Sequence, residues 1–315
     1  MAMISTTVKG HLFALVTITI WSSTFIVSKI LLASLTPLQI LMIRFAIAIA
    51  FLSIIHPRFR KPVSIREELL FLGSGATLVF YFICENSALM LTFTSNVSLI
   101  VATIPLMTGA LSAAFSRTRF FTRQRIAGFI LAYLGVALVI ISGNRLQGIR
   151  LTGDFLALAA AVLFTFYSLF MEKTPGDCHL IQLTRKVFVY GFLVLLIVSL
   201  SRRDLTMPWP ITPYMFLSLL FLGIVASSLA FILWNHAIKA IGPEKTNQYI
   251  YLIPVITTLM SAVLLSEPVT GATVAGAVLI LLGLYVSDRA NERKHSIKQR
   301  LPQKAVSTDE HESLP

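Results

Sequence analysis

Charge is what this chain has least of. Asp, Glu, Lys and Arg together make up 13% of its 315 residues, while 56% are hydrophobic and the mean hydropathy is +0.81. A soluble domain carries about 25% charged residues, so there is too little polar surface here to cover a water-soluble globule. Acids are scarcer than bases, 14 against 26. The net charge of +12 would suit nucleic acid, but the bases lie in short loops between apolar runs and in the tail. That is the distribution of topology signals, and it argues against a nucleic-acid partner. Cysteine is nearly absent. Cys84 and Cys178 make neither a disulfide framework nor a metal cluster. No GxxxxGK[ST] loop occurs, which argues against ATP drive within the chain. There is no His/Cys metal set and no Ser/His/Asp constellation. The expectation is no metal, no cofactor and no catalytic residues.

What is present is a series of long apolar runs, at about 11–33, 39–56, 68–91, 96–115, 125–142, 153–171, 181–200, 213–237, 245–265 and 270–288. Each can cross a bilayer as a helix, and lipid demands helices because backbone groups must be satisfied internally. The first run is too long for a signal-peptide core and lacks a small-x-small cleavage site, so it reads as an uncleaved span. The fold class is therefore an all-α polytopic membrane protein with ten transmembrane helices.

Ten spans put both termini on one side. Under that model 18 Lys and Arg fall in one set of loops and the tail, and only Arg145, Arg150, Arg202 and Arg203 in the other. The positive-inside rule then places both termini in the cytoplasm. Residues 1–10 form a cytoplasmic N-terminus and 143–152 a periplasmic connection. Residues 289–315 are polar and lack an apolar face, the composition of a disordered cytoplasmic tail.

The halves repeat. From Phe82 to Ala113 an offset of 149 pairs Phe82 with Phe231, Asn86 with Asn235, Pro105 with Pro254 and Ser112 with Ser261. An offset of 148 then pairs Gly128 with Gly276 and Gly135 with Gly283, and near the start an offset of 143 pairs Gly10 with Gly153. Spans 1–5 (residues 11–142) and 6–10 (residues 153–288) are thus two copies. Five is odd, so the second copy enters the membrane from the opposite side. Inverted repeats suit secondary transporters, because exchanging the conformations of the two halves exchanges the open face. Pro105 and Pro254, each near mid-span, are expected to kink their helices, either for packing alone or as hinges beside a central cavity.

Several stretches resemble signatures of the drug/metabolite transporter superfamily. They are Trp21 to Lys29 (WSSTFIVSK), Arg44, Asn86 to Leu89 (NSAL), and Leu264 to Gly283. Their order and the five-plus-five repeat are similar to the ten-helix EamA-like branch. The resemblance implies a cytoplasmic-membrane carrier of small metabolites, often an exporter of amino acids or drugs. One departure stands out. Glu267-Pro268 precedes the last span, but the matching place in the first half holds Arg119-Phe120. Glu267 reads as an acid at a helix start.

Ionisable residues within spans are costly and face the bundle interior. Lys29, Arg44 and Glu85 fall at similar depth in spans 1, 2 and 3, which suggests one polar cluster in which Glu85 offsets two cations. Snorkelling to the interface is the rival for each. Polar stripes also run through Trp21 and Thr24 of span 1, Tyr81 and Glu85 of span 3, and Asn247 and Tyr251 of span 9. Hydroxyl stripes can simply glue helices together, whereas stripes with aromatic, amide and acid groups suit a cavity lining. Glu85 aligns with Trp234 in the second copy. Trp21, Thr24, Lys29, Arg44, Tyr81, Glu85, Trp234, Asn247 and Tyr251 are the candidate substrate or pathway residues. Arg185 and Lys186 open span 7 as topology residues or as an inner anion contact. The expected partners are a small-molecule substrate and the lipid bilayer. Protons are an optional coupling ion, and the chain stands alone or as a homo-oligomer. Amino-acid export leads the readings, followed by a drug or sugar-type solute carrier, and then a membrane scaffold or lipid-handling protein.

Overall fold

The computed structural model describes residues 6–108, 111, 122–147, 151–174, 179–202, 210–241, 246 and 249–300. Among these residues every regular element is a helix, with no strand. The first half holds α1 (Thr6–Leu31), α2 (Pro37–Ile55), α3 (Ile65–Leu91), α4 (Thr94–Val101, resuming over 104–108) and α5 (Arg123–Gln147). The second half holds α6 (Leu151–Glu172), α7 (Leu180–Arg202), a three-part α8, a two-part α9 and α10 (Gly271–Arg300). The parts of α8 are Pro213–Leu220, a π-helical segment Phe221–Leu229 and Ala230–Ile241, and α9 is a 3₁₀ turn Tyr249–Leu252 followed by Ile253–Leu264.

Local sequence explains several starts. Thr36 and Gln39 form a reciprocal capping box with Pro37 at the first position of α2. Ser64 caps α3 through the Glu67 amide, and Thr212 caps α8 through the Met215 amide. α1 to α3 and α6 to α8 are long and apolar enough to cross a membrane, and α4, α5, α9 and α10 contain shorter apolar stretches. Ile54, Phe155, Ile197, Leu217 and Val263 are each more than half exposed. In water such a surface would aggregate; facing lipid tails it is the expected exterior. This is a polytopic all-α membrane protein.

Packing follows the repeat. α3 packs on α6 as α8 packs on α1, α3 on α7 as α8 on α2, and α4 on α6 as α9 on α1. The remaining large interfaces, α2 with α7, α4 with α9 and α5 with α10, pair each helix with its own counterpart. Exchanging helix n for n+5 therefore leaves this pattern unchanged, as two inverted five-helix repeats require.

The symmetry reaches single residues. A methyl group on Gly10 would lie 2.7 Å from Ala240 and Ile241, and one on Gly153 would lie 2.9 Å from Thr92 and 3.0 Å from Leu91. Positions 91 and 92 are 240 and 241 less the same offset of 149 that aligns α3 with the end of α8. In each repeat the first helix meets the third helix of the other at a glycine because no side chain fits there.

Two expectations change. α4 is not merely kinked near Pro105: it breaks at Ala102-Thr103 and resumes, and α9 changes from 3₁₀ to α immediately before Pro254. A proline at the start of a helical stretch costs no hydrogen bond, so each repeat uses its proline to restart a helix. Residues 289–300, expected as disordered tail, continue as the last turns of α10. A packed helix supplies the nucleus, and Arg, Lys, Glu and Gln propagate it readily. Residues 301–315 lie outside the described residues. α5 likewise runs to Gln147, so the helical ends flank only 148–150 of the expected 143–152 connection.

Candidate substrate site

Arg44 lies on α2 with 5% of its surface exposed. Its Nε donates to Ser227 Oγ of α8 at 2.7 Å, and its guanidinium carbon stands 4.3 Å from the centre of the Phe82 ring on α3. Glu85, on α3 and 6% exposed, accepts a hydrogen bond from the Tyr81 hydroxyl one turn below. Arg44 and Glu85 lie within electrostatic range of each other, yet among the described residues they make no contact ion pair. Further rings pack on Phe82 and Tyr81. Phe45 packs edge-on against Phe82 and Phe188 at 6.1 and 4.9 Å, and Tyr81 against Phe164 at 5.0 Å. A guanidinium and a carboxyl group are thus held out of water, each with a polar neighbour, and neither pairs with the other by contact. Asn86, beside Glu85, is 1% exposed, and neither its amide nitrogen nor its amide oxygen has a hydrogen-bond partner.

Trp21 of α1 joins from the α8 side. Its Nε1 donates to the Ala226 carbonyl at 3.3 Å, and its ring lies 5.2 Å from Trp234 and 5.3 Å from Phe231. Tyr251 is half-buried against the apolar core. Asn247 lies outside the described residues. Thr24 bonds back to the Trp21 carbonyl, and Ser74, Thr77, Thr165 and Ser168 bond back to carbonyls of their own helices. Those hydroxyls are satisfied locally and glue or bend their helices. Around Arg44 the contacts between helices run from Arg44 to Ser227 and from Trp21 to the Ala226 carbonyl, and Ser227 was not among the sequence candidates.

A family model for the EamA-like transporter family matches residues 8–141 and again 151–287. The chain belongs to the EamA-like transporter family. Among its curated relatives, a probable amino-acid metabolite efflux pump of Salmonella typhimurium is 29% identical over 289 residues, covering 89% of this chain and 94% of that protein. The Escherichia coli protein of the same description is 27% identical over 292 residues, covering 89% and 94%. An uncharacterized transporter of Archaeoglobus fulgidus is 27% identical over 281 residues, covering 88% and 98%. A solved crystal structure superposes with a TM-score of 0.60 at 20% identity over 90% of this chain and 98% of that one, a likeness of fold. Family and relatives point to a transporter of small molecules rather than to an enzyme.

The one polar cluster expected around Glu85 in this EamA-like chain resolves into two. Lys29, at the end of α1, donates to the carbonyls of Leu89 and Thr92, and the acid that faces it is Glu267, not Glu85. Glu267 in turn accepts from the backbone amides of Thr94 and Ser95 at 2.8 and 3.2 Å. It does sit at a helix start, but that of α4 rather than of its own α10, where the free amides favour an anion. Asp154 of α6 accepts from the Thr92 hydroxyl at 3.0 Å and from Asn96 at 3.5 Å. This end of the bundle is tied across both repeats.

The opposite end is tied differently. Arg185, 2% exposed, donates to the carbonyls of His56 and Arg58 at 2.6 Å each and lies over Phe59. Lys186 pairs with Glu68 at 2.5 Å, and Tyr190 donates to the other Glu68 oxygen. Arg185 is thus a clamp on the α2–α3 loop, which its sequence position at a span end did not reveal. At the start of α1, His11 Nδ1 and the Tyr249 hydroxyl are 2.8 Å apart. His11 matches Asp154 at the offset of 143, so the two repeats carry cross-repeat links at equivalent places on opposite ends.

Proposed function

We propose that the chain is a secondary carrier that exports a small zwitterionic metabolite, an amino acid or a close relative, across the cytoplasmic membrane by alternating access. Both termini face the cytoplasm in this reading, as the Lys and Arg asymmetry of the loops requires. The observation that carries it is the pair Arg44 and Glu85: a buried guanidinium and a buried carboxyl group on adjoining helices, held without contact inside an inverted-repeat bundle. Burying a charge costs several kcal/mol unless a partner compensates. A ligand bearing a carboxylate and an ammonium supplies both partners at once, and the neighbouring rings take its apolar part. The description of the Salmonella and E. coli relatives as probable amino-acid metabolite efflux pumps supports the same class.

Alternating access has its parts in this reading. The Lys29, Glu267 and Asp154 network closes the periplasmic end, and the Arg185, Lys186 and His11 links close the cytoplasmic end. Opening one set while the other holds exposes the site to one side at a time. The test is counterflow of labelled amino acids in proteoliposomes, with and without a pH gradient. Exchange of amino acids that is lost in Arg44→Leu is the expected result. Exchange of sugars or amphipathic cations in place of amino acids would overturn the substrate class, and a gradient without effect would remove protons as the coupling ion. Reporter fusions that place the two termini on different sides would overturn the topology.

A further inference from the structure

The two repeats differ by one residue at a telling place. Gly75 of α3 and Gly223 of α8 are equivalent at an offset of 148. A methyl on Gly75 would lie 2.9 Å from the Val187 carbonyl, and one on Gly223 would lie 3.2 Å from the Arg44 carbonyl. Arg44 and Val187 are themselves related by the offset of 143 that aligns the start of each repeat. Seven residues later the offset is 149, pairing Phe82 with Phe231. One residue has therefore entered α8 between Gly223 and Phe231.

The π-helical segment Phe221–Leu229 covers that interval. The Ala230 amide donates to the Val225 carbonyl five residues back, and Ser228 Oγ reaches the Gly223 carbonyl at 3.1 Å, also five back. A π-turn is the way a helix absorbs one inserted residue without losing register on either side, and such turns cluster at functional sites. Here the turn presents two groups to the candidate site: the Ala226 carbonyl receives Trp21, and the Ser227 hydroxyl receives Arg44. α3, the uninserted counterpart, is regular α-helix through this stretch, and the residue equivalent to Arg44 is the uncharged Val187.

We propose that the inserted turn sets selectivity for zwitterions. Ser227 is a positioning residue that holds the Arg44 guanidinium off Glu85, so that the two charges stay open for a ligand's carboxylate and ammonium. Without the hydroxyl, Arg44 turns toward Glu85, and the internal ion pair competes with the ligand for both charges. The inference rests on the amino-acid reading above and adds a residue and a mechanism to it.

The test uses the full chain in proteoliposomes with labelled L-leucine, whose side chain suits the neighbouring rings. Isoamylamine, which lacks the carboxylate, is the competitor. In Ser227→Ala the KM for leucine rises about tenfold, the worth of a hydrogen bond to a charged group, while kcat changes less than about twofold. The preference for leucine over isoamylamine shrinks by a similar factor, and Ser227→Thr, which keeps the hydroxyl, restores both. Leucine exchange in the wild type with an unchanged KM in Ser227→Ala overturns the role of Ser227 and leaves the amino-acid reading standing. A raised KM that Ser227→Thr fails to restore overturns it as well, since any packing defect would do the same. A wild-type chain that exchanges no leucine sinks the amino-acid reading and this inference together.

Discussion

Arg44 and Val187 stand at equivalent positions of the two repeats, and each lays its carbonyl against a glycine of the neighbouring third helix. The backbone contact is the same; only the first copy carries a charge. In the proposed carrier the symmetry supplies two exchangeable shapes, while the departure from it puts the buried Arg44 in the first copy alone. Glu85 repeats the pattern, since its counterpart is Trp234.

Replacing Arg44 separates these roles. Arg44→Leu removes a buried cation but leaves Glu85 buried without the opposite charge in its range, so the melting temperature of the detergent-solubilised protein falls, whereas Arg44→Leu combined with Glu85→Gln removes both charges and melts level with the wild type or above it. Binding of amino acids falls by about two orders of magnitude, because one partner of a buried charge contact is gone. Arg44→Lys does not restore it. A lysine has neither the planar face that lies over Phe82 nor the Nε donor that reaches Ser227. Paired thermal-shift and counterflow measurements read both effects, and full transport by Arg44→Lys would show that charge alone suffices.

Asn86 offers a second separation. Both of its amide atoms are buried without partners, a state that costs about 1–3 kcal/mol per unmet group. Asn86→Leu removes the penalty at similar volume, so the protein is expected to melt higher while transport slows. Such an exchange of stability for activity marks a polar group kept for function. A lower melting temperature in Asn86→Leu would instead show that the amide serves the fold.

Much of this was legible in the chain. Apolar run lengths located the spans, and Gly10 with Gly153 showed the repeat before any contact was known. Charge positions named Arg44 and Glu85 but misassigned the partner of Lys29. Depth along a helix is readable from sequence; the direction in which a neighbouring loop folds back is not, and Glu267 arrives over such a loop. Arg185 was hidden for the same reason, since its acceptors are loop carbonyls rather than acids. The π-turn did leave a trace: the change of offset from 148 at Gly75 to 149 at Phe82 is an insertion that sequence comparison of the halves can detect.

The Asp154–Thr92 contact gives a reversible test of the proposed closure at the Lys29 end of the bundle. With Cys84 and Cys178 first changed to serine, cysteines at positions 92 and 154 lie where the present side chains are 3.0 Å apart. Oxidation is expected to cross-link them and halt counterflow, and a reductant to restore it. Unimpaired exchange in the cross-linked protein would show that these helix ends stay together throughout the cycle.

The α5–α10 interface makes a purely structural prediction. A methyl on Gly135 would stand 2.6 Å from the Gly276 carbonyl, and one on Gly276 would stand 2.9 Å from the Gly135 carbonyl and 2.6 Å from Val139. Backbone atoms cannot yield as a flexible side chain does, so Gly135→Ala and Gly276→Ala must each push the two helices apart. The cost is about 1–3 kcal/mol for overpacking, and the two should be close to equal because each glycine meets the other's backbone. Gly271 is the control: it opens α10 with nothing within 4 Å of an added methyl, so Gly271→Ala should be neutral or slightly stabilising. Thermal melting of the three variants in one detergent decides it. A large loss in only one of Gly135→Ala and Gly276→Ala would mean that the helices do not meet along both glycines at once.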